Sequence, residues 1–246
     1  MQGMPGDPRV HPLARGGSAD TDDSARRSQR IQILATEHWN LLATRSLSWG
    51  ESFSRAGMFL TVLSGATVAL ALVAQATAFG EGFVLFALLI LPVVLFVGGA
   101  TYVRLVEVNN EDVHWVYGMN RLRHAYLDME PDLEPYFVTG YTDSDAAIIR
   151  TYGSHATGSP LAHALVTTPA TIAFVNSMIA AVLGVVALMQ WSMTMLPAVA
   201  VGAVLFLAGC ALQIWFSAYS ARSYQREHAR RDPAGDRPAP SDADPA

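Results

Sequence analysis

The fold is decided by residues 57–103, which read GMFLTVLSGATVALALVAQATAFGEGFVLFALLILPVVLFVGGATYV. Glu81 is the only charged side chain between Arg55 and Arg104, and it separates two apolar runs of more than twenty residues each. At about 1.5 Å of rise per residue, each run is long enough to cross a hydrocarbon core of roughly 30 Å as a helix. The stretch therefore predicts a transmembrane helical hairpin that turns at residues 79–82.

A second charge-free stretch covers residues 151–221, which contain no Asp, Glu, Lys or Arg. Pro169 suits the first turn of a third helix near residues 168–189. A fourth helix is predicted at about residues 196–219, after a short loop. The sequence thus predicts an all-α, polytopic membrane protein of four spans, arranged as two transmembrane helical hairpins.

The spans divide the chain into six predicted segments. Residues 1–23 are rich in Gly, Pro and Asp, and such a composition cannot offset the entropy lost on ordering. The segments are a disordered tail (1–23), an amphipathic cytoplasmic or interfacial helix (24–56), transmembrane hairpin 1 (57–103), a cytoplasmic helical segment (104–166), transmembrane hairpin 2 (167–219) and a charged, partly disordered tail (220–246).

Two questions about the N-terminal amphipathic helix stay open at this level. Gly50 weakens a single continuous helix, so one piece or two are both compatible with the pattern. Periodicity also does not tell whether the apolar stripe lies on the membrane interface or packs on the cytoplasmic segment. We expect the second span to continue past Arg104 toward Tyr126 and to pack against residues 31–47 through four side chains: Trp115, Met119, Leu122 and Tyr126.

The placement of basic residues predicts the orientation in the cell membrane. All 16 basic residues are arginine, and none lies in the turns at residues 80–82 and 190–195. The positive-inside rule then places both termini and the central segment in the cytoplasm.

Several acidic and histidine residues have the spacing of metal ligands. Glu107, Glu111 and His114 share one helix face and contain a Glu-x-x-His, which is half of a carboxylate-bridged di-metal site. No second Glu-x-x-His occurs in a span or in the central segment, so a solvated acidic face is favoured. Two further groups are weaker candidates for zinc or calcium because their spacing follows no known ligand pattern: His155 and His163 with Asp143 and Asp145, and Asp128, Glu130, Asp132 and Glu134.

No motif for chemistry stands out elsewhere. The sequence has no phosphate-binding glycine loop, no nucleophile elbow and no basic patch for nucleic acid. Cys210 is the only cysteine, so no intrachain disulfide forms. We predict no catalytic residue, no metal, no cofactor, no nucleic-acid partner and no enzymatic activity.

Inside the spans, a few polar and small residues are informative. The amides of Asn176 and Gln213 and the hydroxyl of Ser177 suit either a pore lining or hydrogen bonds between helices, and the latter is favoured. Small side chains form stripes that permit tight helix packing, within the monomer or between subunits. These stripes are Ala170, Ala173, Ser177, Ala180 and Gly184 in the third helix, and Ala198, Gly202 and Gly209 in the fourth.

Three runs of the central segment resemble a family of uncharacterised four-span membrane proteins of actinobacteria. They are Glu107–Asp112, which reads EVNNED, then Gly118–Tyr126, and then Glu134–Phe137. The resemblance implies the four-span fold over about residues 31–219 and brings no activity or site residue. The layout alone is also similar to pore-forming effector domains.

These patterns favour a non-enzymatic, membrane-anchored interaction or scaffold protein. Its expected partners are the lipid bilayer, a cytosolic protein that binds the acidic central segment, and further copies of the chain in a homo-oligomer. The alternative is a subunit of a small oligomeric channel, or a pore-forming effector, with Ser177, Asn176 or Gln213 in the pore.

Overall fold

The structure is a computed structural model that describes residues 16–142, 144–152, 167–190 and 194–231. Over these ranges the chain is helical and contains no strand. Its helices are α1 (Gly16–Thr77), α2 (Glu81–Met129), α3 (Asp145–Thr151), α4 (Thr168–Met189) and α5 (Met195–Arg231), with a 3-10 helix (Pro131–Tyr136) between α2 and α3.

Four of these helices, α1, α2, α4 and α5, are long and apolar enough to cross a membrane. The predicted all-α class is therefore confirmed, and four helices long and apolar enough to cross a membrane fit the predicted multi-pass membrane protein. The bounds of α4 agree with the prediction. Thr167 caps this helix by accepting a hydrogen bond from the Ala170 N–H, and Pro169 lies in its first turn.

The helix α2 continues past Arg104 to Met129, which confirms the predicted continuation. Pro131 lies two residues beyond its end and opens the 3-10 helix, because proline does not supply the N–H that would extend an α-helix. The short helix α3 ends one residue before Tyr152.

The N-terminal helix differs from the prediction at its start. It begins at Gly16 rather than near Ser24, so the part of the predicted disordered tail at residues 16–23 is helical. Helix propagation adds one hydrogen bond for each residue fixed, so a helix packed further along extends easily into a polar stretch. α1 is also unbroken at Gly50, because the roughly 1 kcal/mol cost of one glycine is small against a continuous packed stripe.

Three long interfaces build the molecule: α1 packs along α2, α2 along α4, and α4 along α5. The main core lies between the apolar segments and includes Phe59, Val94 and Ile172. The predicted small-residue stripes lie at the α4–α5 interface. A Cβ atom on Gly209 would lie 2.9 Å from the Ser177 hydroxyl oxygen, so close approach requires glycine there.

Outside the apolar segments, α1 residues 27–56 and α2 residues 104–129 pack side by side. We call this pair of helices the stalk. Leu41 packs on Val116 and Met119, and the His38 ring stacks on Tyr126 with centroids 6.0 Å apart. The open question about residues 24–56 is therefore answered in favour of packing on the central segment. The predicted contacts are confirmed for Met119 and Tyr126.

Candidate interaction surface

A buried carboxylate ties three helices together halfway along the stalk. Asp112 of α2 is only 1% exposed. It accepts two hydrogen bonds from the Arg45 guanidinium of α1, at 2.6 and 3.1 Å. The Trp49 indole N–H (3.0 Å) and the Tyr152 hydroxyl (2.6 Å) donate the other two. We call Asp112, Arg45, Trp49 and Tyr152 the clasp, because it fixes the end of α3 on both stalk helices.

The electrostatics of the clasp favour one protonation state. Burial alone lowers the pKa of Arg45, but the hydrogen bonds and charge of Asp112 outweigh it and raise that pKa above its ordinary value. Burial and the Asp112 carboxylate raise the pKa of Tyr152, so its hydroxyl stays a neutral donor. The Arg45 guanidinium also lies 5.5 Å from the centroid of the Tyr152 ring, within cation–π range.

A second ion-pair cluster lies at the base of the stalk. Arg104 binds both oxygens of Glu51 at 3.1 Å, and it also contacts Glu107 at 3.3 Å and Glu111 at 3.2 Å. Arg55 donates a further hydrogen bond to Glu51 at 2.8 Å. The hydrogen bonds from Arg104 and Arg55 lower the pKa of Glu51 to about 2, so this carboxylate is ionised at neutral pH.

This arrangement assigns the predicted metal-ligand residues a different task. Glu107 and Glu111 converge on a guanidinium, whereas His114 lines a separate cavity of about 60 Å³ between α2 and α5, with Asn110 and Tyr224. Across the part of the chain that the structure describes, no three His, Cys, Asp or Glu side chains are grouped to hold a metal ion.

The remaining acidic candidates are also dispersed. Glu130 pairs with Arg27 at 2.6 Å, and Glu134 accepts a hydrogen bond from Tyr141 at 2.5 Å. Asp128 lies 3.8 Å from His124. The predicted zinc candidates His155, His163 and Asp143, and the side chain of Asp145, lie outside the described residues.

Beyond α2 the chain turns back and is fastened to the stalk. The amide of the fully buried Asn120 donates to the Thr142 carbonyl at 3.1 Å. Arg123 donates to the Asn120 side-chain oxygen at 2.8 Å and to the Gly140 carbonyl at 3.2 Å. A Cβ atom on Gly140 would lie 2.7 Å from the Ala147 Cα, so this close approach of two backbones requires glycine. The returning segment is thus held against α2 at Gly140 and Thr142.

This fastening presents an exposed segment at the far end of the stalk, residues 131–138, which we call the tip. Tyr136 is 77% exposed and Val138 is 86% exposed. The carboxylates of Asp132 and Glu134 lie in the same segment. At 1.5 Å per residue, the tip lies about 40 Å beyond Arg104. Exposed apolar side chains on a fixed backbone, with charge beside them, are typical of protein-interaction sites.

Sequence reasoning assigned the tip to the acidic central segment but did not single out Tyr136 or Val138. An aromatic residue and a valine in a proline-bounded turn are equally compatible with a buried contact. The only sequence signal for their exposure was their position within three residues after Pro135, where the helical stripe has already ended.

Asn176, Ser177 and Gln213 of the spans are buried or half-buried, whereas Thr61, Ser64, Thr67 and Gln75 of α1 are exposed. Gln213 of α5 donates to the Ser177 hydroxyl and to the Ala173 carbonyl, both at 3.0 Å, which confirms the predicted hydrogen bonds between helices. The Tyr102 hydroxyl donates to the Gln213 carbonyl. Asn176 is 3% exposed and packs against Gly98, and neither its amide nitrogen nor its oxygen has a hydrogen-bond partner. The predicted hydrogen bond between helices is therefore wrong for Asn176.

No protein-family model, no curated protein and no solved structure matches this chain. The resemblance to the actinobacterial four-span family therefore stays a prediction.

Proposed function

We propose that this protein is a non-enzymatic, membrane-anchored interaction protein whose stalk holds the tip at a fixed distance from the bilayer for a cytosolic partner. The exposure of Tyr136 and Val138 carries this proposal. Two large apolar side chains in water favour a partner that covers them, and the fastened backbone lowers the entropy cost of binding.

The charge around the tip selects the class of partner. Residues 128–134, at the tip and the adjoining end of α2, carry four acidic residues and no arginine. A surface of this sign favours a partner with a basic rim, because complementary charge speeds association and excludes acidic competitors. The proposed partner is thus a cytosolic protein that offers an apolar pocket bordered by Lys or Arg.

The proposal includes the orientation of the chain. The spans form two hairpins, α1 with α2 and α4 with α5, with both termini and the stalk in the cytoplasm. The arginine-free turns and the arginines of the stalk support this threading by the positive-inside rule. Asn110, near the base of the stalk, donates to Ser220 at 2.8 Å, so the end of α5 beyond its apolar segment lies on the same side of the membrane.

Two alternatives are less well supported. A channel lined by the predicted pore residues needs these side chains on the outside of the bundle, yet Asn176 and Ser177 are buried within it. An enzyme needs ionisable groups free to react, whereas the carboxylates of the clasp and of the Arg104 cluster are occupied by guanidinium groups.

The orientation predicts a clear labelling pattern. In a Cys210→Ser background, a membrane-impermeant maleimide is expected to label Glu81→Cys on intact cells and Val138→Cys only after permeabilisation. The two sites lie on opposite sides of the bilayer in the proposed threading. Labelling of Glu81→Cys that requires permeabilisation would contradict the orientation.

The tip is tested by a photo-crosslinker at position 136 or 138, with position 124 of the stalk as the matched exposed control. We expect one defined product from the two tip positions and none from position 124. With that partner purified, Tyr136→Ala is expected to weaken binding more than tenfold, as truncation of a central aromatic anchor does. Asp132→Arg should weaken it further if the partner is basic. Equal crosslinking from position 124, or unchanged binding by Tyr136→Ala, would refute the proposal that the tip binds the partner.

A further inference from the structure

The outer face of α1 forms a second uncovered surface. α1 meets α2 through a stripe that repeats about every 3.5 residues and includes Leu41, Arg45, Ser48 and Ser52, all buried or half-buried. The buried stripe continues through Ala56, Phe59, Leu63 and Ala66, so it runs without a break from the stalk into the apolar segment. The residues that do not face α2 leave an exposed strip along the same length of α1.

Small residues form one line of this strip at a strict seven-residue spacing. They are Ala43, Gly50, Gly57, Ser64 and Ala71, and all five are exposed. A Cβ atom on Gly50 or Gly57 would have no neighbour within 4 Å. Small side chains at this spacing let another helix approach closely.

Larger side chains form the neighbouring line of the strip. Trp39 is 70% exposed and Phe53 is 61% exposed, with Ser46 between them at the same spacing. The two lines carry no charged side chain over residues 28–77. The charges of that part of α1, Arg30 and Glu37 among them, occupy other heptad positions. We call these two lines the outer face.

The length of the outer face identifies what covers it. It runs from the water-exposed stalk, through residue 57, into the apolar segment without a break in its pattern. Lipid covers only the part within the bilayer, and a soluble protein covers only the part outside it. A second copy of this chain, parallel in the same membrane, has the right length and the right orientation to cover both.

The charge pattern favours the same occupant. In a parallel two-fold pair, each residue of the face meets its own copy, so any charge on the face would meet a like charge. From residue 29 to residue 71 the exposed face is about 60 Å long, and a strip about 10 Å wide covers about 600 Å² on each copy. This is at the lower end of the roughly 600–1,000 Å² per partner of a stable interface.

We infer that the protein forms a parallel homodimer through the outer face of α1, from the stalk into the membrane. The dimer contact does not use the tip, so its test is independent of the proposed function.

Disulfide trapping tests the dimer in native membranes with Cys210→Ser as the background. Thr36→Cys, Ala43→Cys and Ser46→Cys place a thiol on the outer face. Glu37→Cys is the matched control, because residue 37 is the equally exposed neighbour of residue 36 at another heptad position. We expect disulfide-linked dimers from the three face variants in several-fold excess over Glu37→Cys.

A mass measurement in lipid nanodiscs or mild detergent gives the second readout. The reduced protein is expected to have twice the monomer mass, and Ala43→Glu is expected to raise the dimer dissociation constant about tenfold or more through like-charge contact. Glu37→Arg should leave the mass unchanged. A monomer at all concentrations, equal trapping by Glu37→Cys, or capture of a different protein at position 43 would each overturn the inference.

Discussion

Asp112→Ala is expected to lower the free energy of unfolding of the stalk by about 3–5 kcal/mol, because it leaves a half-buried Arg45 charge without its partner. It also removes the acceptor for the Trp49 and Tyr152 donors, so α3 loses its attachment. Hydrogen exchange should show faster exchange in α3 and in the stalk, with the apolar segments unchanged.

The matched control is Asp128→Ala, which removes a carboxylate from the same helix at a position where the side chain is 63% exposed. Its expected effect is below about 0.5 kcal/mol. The double variant Arg45→Met with Asp112→Leu should recover most of the loss, because an apolar pair replaces a buried ion pair without an unpaired charge. Equal protection in Asp112→Ala and the wild type would show that the clasp does not hold the stalk.

The second large effect is expected at the α2–α4 interface within the membrane. Gly98→Ala should destabilise the bundle by about 1–3 kcal/mol, the usual range for overpacking. A Cβ atom there would overlap the Asn176 side chain and lie 2.6 Å from a ring carbon of Phe59. The adjacent Gly99 has nothing within 4 Å of its Cβ position. Gly99→Ala should therefore be neutral or stabilise the helix by up to about 1 kcal/mol.

Asn176 provides the compensating change. Asn176→Ala removes the atoms that clash with a side chain at position 98, and it also removes two buried polar atoms that lack partners. The double variant Gly98→Ala with Asn176→Ala should be clearly more stable than Gly98→Ala alone. Denaturant titration in micelles of the wild type, the two single variants Gly98→Ala and Asn176→Ala, and the double variant gives the coupling energy of the pair. This energy is expected to be about 1 kcal/mol or more. Identical stability of the Gly98→Ala and Gly99→Ala proteins would contradict this close contact.

Several features were predictable because they depend on residues close together in the chain. A charge-free run of more than twenty apolar residues excludes most structures other than a membrane-spanning helix. The capping Thr167 and Pro169 define the start of α4 locally, and the stripe after Arg104 continues the periodicity of α2. The start of α1 was placed too late, because residues 16–23 gain their helix from the packed part that follows them.

The functional surfaces depend on which distant residues meet. Arg45 and Asp112 are 67 positions apart, and Asp112 in the sequence is one of three acidic residues within positions 107–112. Only the packing of α1 on α2 decided that this carboxylate is buried, that Glu107 and Glu111 bind Arg104, and that α1 packs on the central segment. Only the return of the chain through Gly140 left Tyr136 and Val138 exposed. The sequence by itself determined how many helices are long and apolar enough to cross a membrane, because hydrophobic length is a local property. The tertiary structure decided which side chains remain available to a partner, because exposure is what remains after every distant contact has formed.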